Sequence, residues 1–303
     1  MKLYIANKMS GIPDANFPWF DRARDFLTTL GHEPVSPADM DRADGITESV
    51  AEEAVPYSAF WRARLRKDAA VIAQCDGIAF GPLWTQSPGS KVERSVGYEL
   101  GIPFYRVDPD HEVFSPEMVV GLSGYATVGK DTAADALEDV GWTRRGFAAA
   151  LKDILYATNP IAGGRTSDPQ AFWRVQQYVD QDGWVDAKRV PEIRQLLQRL
   201  GTEGGRQVIG EDFWVRTLYE TCTDPRIVIP DVRFPNEARS VEDRGGVLIR
   251  IERPGRGPIN SHPSETALDG FEFKHVVQNT GTPEEMGKKV LDIVGDHYGK
   301  VSA

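Results

Sequence analysis

Along the first hundred residues the spacing of apolar positions switches repeatedly between a strand-like run and a helical period. Leu3 to Ala6 reads as a buried strand, and Ser10-Gly11-Ile12-Pro13-Asp14 after it is rich in turn residues. Phe17, Phe20, Ala23, Leu27 and Leu30 then recur at helical spacing, and Gly31 ends the pattern. A second helical stretch is predicted over 58–74 and a short strand from Gly77 to Phe80. A loop with Pro82, Pro88 and Gly89 follows, then a helix up to Leu100 and a strand from Ile102 to Val107. Strands separated by helices predict a parallel, doubly wound sheet.

The stretch Val107-Asp108-Pro109-Asp110-His111-Glu112-Val113-Phe114-Ser115-Pro116 is polar and broken by prolines, and is the candidate linker. Met118 to Leu122 starts a new strand and, with it, a second α/β domain. A helix is predicted at 191–200, with Pro191 in its first turn, Ile193, Leu196, Leu197 and Leu200 on one face, and Gly201 as its stop. Arg226 to Pro230 and Val247 to Ile251 read as strands. Thr282-Pro283-Glu284-Glu285 is a capping box that opens a last helix with Met286, Val290 and Ile293 inward. The expected architecture is α/β, with two doubly wound parallel-sheet domains at 1–110 and 117–303.

Composition narrows the class. A chain of 303 residues, 41% hydrophobic and 26% charged, is long enough to fold as two ordinary globular domains. Its net charge of −10 argues against a basic duplex-binding face, so nucleic acid is not an expected partner. Cys75 and Cys222 lie in separate apolar stretches and read as buried free thiols. The five histidines and two cysteines show no zinc-ligand spacing. The N-terminal apolar run is too short for a signal peptide, and no run has membrane-spanning length. These features predict a soluble cytoplasmic protein without a membrane partner.

The strongest chemical signal is Gly124-Tyr125-Ala126-Thr127-Val128-Gly129-Lys130-Asp131-Thr132. It follows a predicted strand and precedes a predicted helix whose inward face is Ala133, Ala136, Leu137 and Val140. Glycines at its ends permit a tight loop whose backbone N–H groups converge on phosphate, and the helix N-terminus favours an anion there. Gly124, Gly129, Lys130, Asp131 and Thr132 are therefore candidate ATP-binding residues, with Lys130 reaching the outer phosphates. Asp131 stands where a magnesium-binding Ser or Thr is usual, which makes it a candidate metal ligand.

The Gly-Lys-Asp-Thr form resembles the deoxynucleoside monophosphate kinases of bacteriophages. Arg226-Ile227-Val228-Ile229-Pro230-Asp231-Val232-Arg233-Phe234-Pro235-Asn236-Glu237 is similar to that family's strand-then-acid segment. So is Gly201-Thr202-Glu203-Gly204-Gly205-Arg206 ahead of Glu211-Asp212-Phe213-Trp214. The resemblance spans about residues 117–296 and implies a P-loop kinase fold using ATP and Mg2+. Asp231, closing an apolar strand, is the second candidate metal acid. Arg206 is a candidate catalytic guanidinium, and Arg199, Arg233 and Arg253 are candidate substrate-binding residues, since guanidinium forks match phosphate oxygens. Arg253-Pro254-Gly255-Arg256-Gly257 reads equally as a charged lid or as a plain surface loop.

In the first domain, Leu3-Tyr4-Ile5-Ala6-Asn7-Lys8-Met9-Ser10-Gly11-Ile12-Pro13 resembles the nucleoside 2-deoxyribosyltransferase-like superfamily. So do Gly31-His32-Glu33-Pro34-Val35, Asp68 ahead of Asp76, Ser87-Pro88-Gly89-Ser90-Lys91-Val92-Glu93, and Gly101-Ile102-Pro103. Relatives in that superfamily include deoxynucleoside 5′-monophosphate N-glycosidases. The match covers about residues 1–107. It implies that Glu93 attacks or stabilises the anomeric carbon, that Asp68 acts on the leaving base as acid or orienter, and that Tyr4 positions Glu93. Ser87 and Ser90 are candidates to hold a 5′-phosphate. Glu99, within Val96-Gly97-Tyr98-Glu99-Leu100-Gly101, is the rival nucleophile. Asn7-Lys8 departs from relatives, which often have a small residue and a proline there.

The expected function is a bifunctional, phage-like enzyme of deoxynucleotide metabolism. Its second domain phosphorylates a deoxynucleoside monophosphate from ATP, and its first cleaves or exchanges the base of a deoxynucleotide or deoxynucleoside. The alternatives are a different kinase acceptor, such as a modified nucleotide or a base hydroxyl in DNA, and a first domain that only senses nucleotides. A homodimer is expected.

Overall fold

A computed structural model describes residues 1–53, 55–56, 58–163, 172–258 and 262–299. The chain divides into two compact units. One holds Met1–Val119 with Glu220–Ile227 and Glu242–Gly246; the other holds Val120–Tyr219, Val228–Val241 and the chain from Val247 onward.

The first unit starts with β1 (Lys2–Ala6) and α1 (Phe17–Thr29), followed by β2 (Glu33–Val35), α2 (Pro37–Ala43) and α3 (Glu48–Glu52). Next come α4 (Ala59–Ile72), β3 (Gly77–Phe80), α5 (Pro88–Glu99), β4 (Phe104–Asp108) and β5 (Val113–Pro116). The apolar run read as a strand is buried on both faces, and the period of 3.6 from Phe17 to Leu27 faces it. The sheet order is β2-β1-β3-β4-β5, with β1 parallel to β2 and β3, and β3 parallel to β4. Chain direction along the sheet reverses at β1, so the crevice beyond the C-terminal ends of β1 and β3 is where such a sheet offers a ligand site.

One expectation is corrected here. Residues 107–116 form no linker: β4 turns back into β5, which pairs with it antiparallel from Tyr105↔Pro116 to Asp108↔Val113. The sheet remains parallel-dominated, with β5 as an antiparallel edge strand. Proline misled the reading, because an edge strand tolerates a residue without an N–H where a central strand does not.

The second unit is built on β6 (Met118–Ser123), followed by α6 (Lys130–Glu138), β7 (Thr143–Arg144), α7 (Ala149–Thr158) and α8 (Val175–Ala187), which kinks at Gly183. Then come α9 (Pro191–Gln198), α10 (Phe213–Thr221), β8 (Arg226–Ile229), α11 (Pro235–Glu242) and β9 (Val247–Glu252). The last elements are α12 (Pro263–Thr266), β10 (His275–Gln278) and α13 (Pro283–Tyr298). The order β10-β9-β6-β8-β7 puts β6 at the centre, parallel to β9, as β9 is to β10. Thr282 and Glu285 close the capping box of α13, whose buried side chains include Met286, Val290 and Val294 rather than Ile293. On α6 the buried face is Ala133, Ala134 and Leu137.

Gly201 does not stop a helix. The chain continues from α9 into a π-helical run, Arg199–Ile209, because Trp214 packs against it. The Trp214 indole donates to the Gly201 carbonyl at 2.8 Å, and a Cβ on Gly205 would meet that indole at 2.5 Å. These glycines make room for a side chain rather than end an element.

Candidate active sites

In the first unit, the chain leaving β1 and the N-terminus of α5 frame an open pocket. Asp68, Ser87, Ser90 and Glu93 all line it, and so does Arg64. Ser87 caps α5: its hydroxyl accepts from the Ser90 N–H at 3.1 Å, and Pro88 takes the first helical position. The Ser90 hydroxyl donates to the Asn7 carbonyl at 3.2 Å, which ties the helix start to the end of β1. Glu93 follows one turn on and is 7% exposed.

Tyr4, fully buried on β1, donates its hydroxyl to Glu93 Oε1 at 3.1 Å. The other oxygen, Oε2, is buried and has no hydrogen-bond partner among the described residues. Burial, together with the charge of Asp68, pushes the Glu93 carboxyl up to about 8, while the Tyr4 hydrogen bond works in the opposite direction. Burial also raises Asp68, to about 6, against the pull of Arg64 and Tyr4. Tyr4 itself is raised by burial and by both carboxylates. Glu93 thus holds its proton more strongly than Asp68.

Two residues that the sequence did not single out complete this electrostatic set. Arg64 on α4 pairs with Asp41 on α2, and its charge favours the ionised forms of both Asp68 and Glu93. Asp41 is buried and raised to about 6 by desolvation, against the attraction of Arg64. Glu99 is exposed at the far end of α5 and does not line the pocket. The structure therefore gathers Tyr4, Asp68, Ser87, Ser90 and Glu93, and leaves out Glu99.

In the second unit, residues 124–129 wrap the space between the end of β6 and α6. Gly124 has φ of 139°, and a Cβ there would lie 2.3 Å from the Ile251 carbonyl oxygen. Gly129 has φ of 108°, and its Cβ would meet the Asn279 amide at 2.5 Å. Both positions need glycine. Asn279, which sequence reading passed over, pins the loop by donating to the Val128 carbonyl at 2.7 Å. Lys130 folds back and donates to the carbonyls of Gly124 and Tyr125 at 2.6 and 2.7 Å. Burial, and then Arg233, push its ammonium down to about 8. A cation held at the mouth of a glycine-ended loop that opens a helix fits a chain of phosphates.

The other candidates fall in three settings. Asp131 on α6 is 87% exposed and lies 3.4 Å from Arg144; Thr132 beside it is half-buried. Asp231 accepts the N–H groups of Phe147 and Ala148, each at 3.0 Å, at the start of α7. Arg206 is buried in an ion pair with Glu237 and stacked 3.9 Å over the Phe234 ring. Arg233 pairs with Glu265 at 2.9 Å, and Arg199 forms an exposed pair with Glu203. Arg253 is exposed in a tight turn after β9, with residues 259–261 outside the described part. Asp131, Asp231 and Arg233 each act on the Lys130 charge, and Arg206 is tied into the packing around α11.

Two known families match separate stretches of the chain. Residues 1–105 match a family described as a domain of unknown function, DUF4406. Residues 181–290 match the deoxynucleotide monophosphate kinase family, a span that begins after the 124–132 loop. A protein of Acanthamoeba polyphaga mimivirus, provisionally named a deoxynucleotide monophosphate kinase, is 30% identical over 194 residues, covering 58% of this chain and 96% of its own. The chain belongs to the deoxynucleotide monophosphate kinase family.

The kinase relationship lies in the C-terminal region, and extends to phage members of the family. The deoxynucleoside-5′-monophosphate kinase of Escherichia phage T5 is 34% identical over 96 residues, 28% of this chain and 38% of that enzyme. The deoxynucleotide monophosphate kinase of Enterobacteria phage T4 is 26% identical over 104 residues, 32% and 43% of the two chains. These matches span less than half the length of either phage kinase. A solved sugar kinase from Janibacter sp. HTCC2649 overlaps 62% of this chain and 98% of its own at 15% identity, with a TM-score of 0.28, too low to bear on the fold. No helix among the described residues is long and apolar enough to cross a membrane.

Proposed function

We propose that this deoxynucleotide-kinase-family chain performs two reactions on deoxynucleotides, one in each unit. In the kinase unit the 124–129 loop, Lys130 and Thr132 hold the phosphates of ATP. A phosphate oxygen of the deoxynucleoside monophosphate attacks the γ-phosphorus. The bond from that phosphorus to its bridging oxygen breaks, and ADP leaves. Little covalent chemistry falls to the protein, so its residues position and neutralise. Asp131 and Asp231 would hold Mg2+, which supplies charge neutralisation on the phosphate oxygens. Arg233, with Arg199 and Arg253, would meet the acceptor. The observation behind this reading is the Lys130 ammonium held at the mouth of a loop that only glycine can close at both ends.

In the first unit we infer N-glycosidic cleavage or base exchange. Glu93, once ionised, faces the anomeric carbon as oxocarbenium character develops. The C1′–N bond breaks, its electron pair leaves with the base, and the base takes a proton from solvent. Water, or a second base, then takes C1′. Asp68 is the more acidic of the pair, which suits orienting the base rather than donating a proton. The 5′-phosphate would sit at the Ser87–Ser90 start of α5. The observation behind this reading is the buried Tyr4–Glu93 hydrogen bond, with Asp68 lining the same pocket. Incubating the chain with each common deoxynucleoside monophosphate, ATP and Mg2+, and resolving diphosphate from free base, tests both. Absence of free base under every condition returns the first unit to a nucleotide-sensing role.

A further inference from the structure

In the second unit the 124–129 loop is gripped from outside at its first turn. The Tyr125 hydroxyl donates to Asp269 Oδ1 at 2.7 Å, a bond that spans 144 residues of chain. Asp269 comes shortly after α12 and is fixed by its own N–H to the Thr266 carbonyl at 3.0 Å. The same carboxyl oxygen lies 3.5 Å from the Arg250 guanidinium on β9. The Arg250 side chain is only 10% exposed, and its guanidinium lies 4.9 Å from the Tyr125 ring and 5.5 Å from that of Phe273. Arg250 stands beside Ser123 in the pairing of β6 with β9, one residue before the Ile251 carbonyl that Gly124 packs against.

At the far end of the loop Val128 is buried and its carbonyl is held by Asn279 at 2.7 Å. Between these two anchors Thr127 is exposed and has φ of 64°. For a β-branched residue that left-handed backbone is strained. Such a conformation persists only where its surroundings enforce it, and examples gather at sites that clamp ligands. A surface contact like that of Tyr125 with Asp269 contributes little to global stability. What it does fix is the backbone of Tyr125, whose carbonyl holds the Lys130 ammonium at 2.7 Å.

We propose that Tyr125, gripped by Asp269 and Arg250, is a positioning residue of the ATP site: it holds the loop open in the shape in which its N–H groups and Lys130 converge on the phosphates. Tyr125 acts through the loop backbone and not by touching the nucleotide. This rests on the kinase reading above. Asp269 stands in no motif, and its role follows from the single oxygen that it offers to both Tyr125 and Arg250.

The test is calorimetric titration of the full chain with ATP and, separately, with inorganic tripolyphosphate, both with Mg2+, alongside kinase KM values for ATP and acceptor. Tyr125→Phe keeps the ring beside Arg250 and removes one hydrogen bond. It should weaken ATP and tripolyphosphate by the same factor, roughly 3- to 10-fold. The KM for ATP should rise by that factor, while kcat and the acceptor's KM change less than about twofold, as expected when only donor binding is lost. Asp269→Ala should show the same loss, and the double variant should be no worse than Asp269→Ala alone, because both changes remove one bond. Asp269→Asn keeps an acceptor oxygen and should recover most of the binding. Thermal unfolding confirms that each variant is folded. Unchanged tripolyphosphate binding in Tyr125→Phe and Asp269→Ala, or additive losses in the double variant, would overturn the proposal. So would a loss for ATP alone, which would put Tyr125 on the nucleoside instead. A wild-type chain that binds both ligands without phosphorylating a monophosphate sinks the kinase reading, while the binding comparison still decides the role of Tyr125. A wild-type chain that binds neither overturns both.

Discussion

The Tyr4 hydroxyl and the Glu93 carboxyl, 89 residues apart in sequence, meet at 3.1 Å inside the first unit. The bond joins the strand at the centre of the sheet's reversal to the first turns of the helix after β3. It fixes where one carboxyl oxygen points and leaves the other buried, without a hydrogen-bond partner among the described residues. A buried acceptor without a donor is costly, and such groups concentrate at sites that act on something else.

Removing the phenolic hydroxyl should make Glu93 harder to ionise, because the Tyr4 hydrogen bond is one of the interactions favouring its charged form. In Tyr4→Phe the alkaline-rising limb of base release should move to higher pH than in the wild type, with a stability loss of about 1 kcal/mol. The pH profile of kcat/KM measures the first, and thermal unfolding the second. A limb that stays in place would separate Tyr4 from the chemistry.

Stability should also depend on pH through Glu93. Its folded-state value, about 8, lies above its ordinary one, so the folded chain prefers the protonated form. The contribution is fully present below about pH 4.5 and is lost as pH rises through 8, at up to ~1.4 kcal/mol per pH unit. Glu93→Gln carries no such proton. Its unfolding free energy should therefore gain on the wild type steadily between pH 5 and 8, in denaturant titrations at each pH. Parallel curves for the two proteins would show that the carboxyl is not desolvated.

The metal acids should separate in their structural effects. Asp231→Asn weakens two hydrogen bonds to backbone N–H groups at the start of α7 and should cost about 1–3 kcal/mol. Asp131 is a surface side chain, so Asp131→Asn should stay within about 0.5 kcal/mol of the wild type. If Asp131 holds Mg2+, the same change raises the Mg2+ concentration for half-maximal kinase activity roughly tenfold. An unmoved Mg2+ titration would assign the metal to Asp231 alone.

Much of this was legible in the chain itself. Buried strands such as Leu3 to Ala6, and helices with one apolar face such as Phe17 to Leu27, declare themselves by period. The 124–132 loop does so through glycines that only one backbone shape requires. The β5 hairpin was hidden because Pro109, in the turn between β4 and β5, and Pro116, at the end of the edge strand, both read as loop signals. The continuation past Gly201 was hidden because its cause, Trp214, lies 13 residues on and acts through packing.

The same holds for the sites. Glu93 and Lys130 sit in short local patterns next to a helix start. Arg64 and Asp41 have none, since a single charge on a helix is ordinarily solvated. Only the approach of α2 to α4 turns them into a buried pair beside the pocket. Arg206 shows the converse: placed in a family-like segment, it is consumed by Glu237 and the Phe234 ring.

The account as a whole rests on two separable chemistries, and the most direct measurement is product analysis of three proteins side by side. Wild type, Lys130→Ala and Glu93→Gln would each be given one deoxynucleoside monophosphate with ATP and Mg2+, and diphosphate and free base would be quantified together. Wild type should form both. Lys130→Ala should lose diphosphate formation by at least roughly 100-fold and keep base release, since it removes one preorganised cation from the phosphate loop. Glu93→Gln should do the reverse. Diphosphate formed at the wild-type rate by Lys130→Ala, or base released at the wild-type rate by Glu93→Gln, would contradict it.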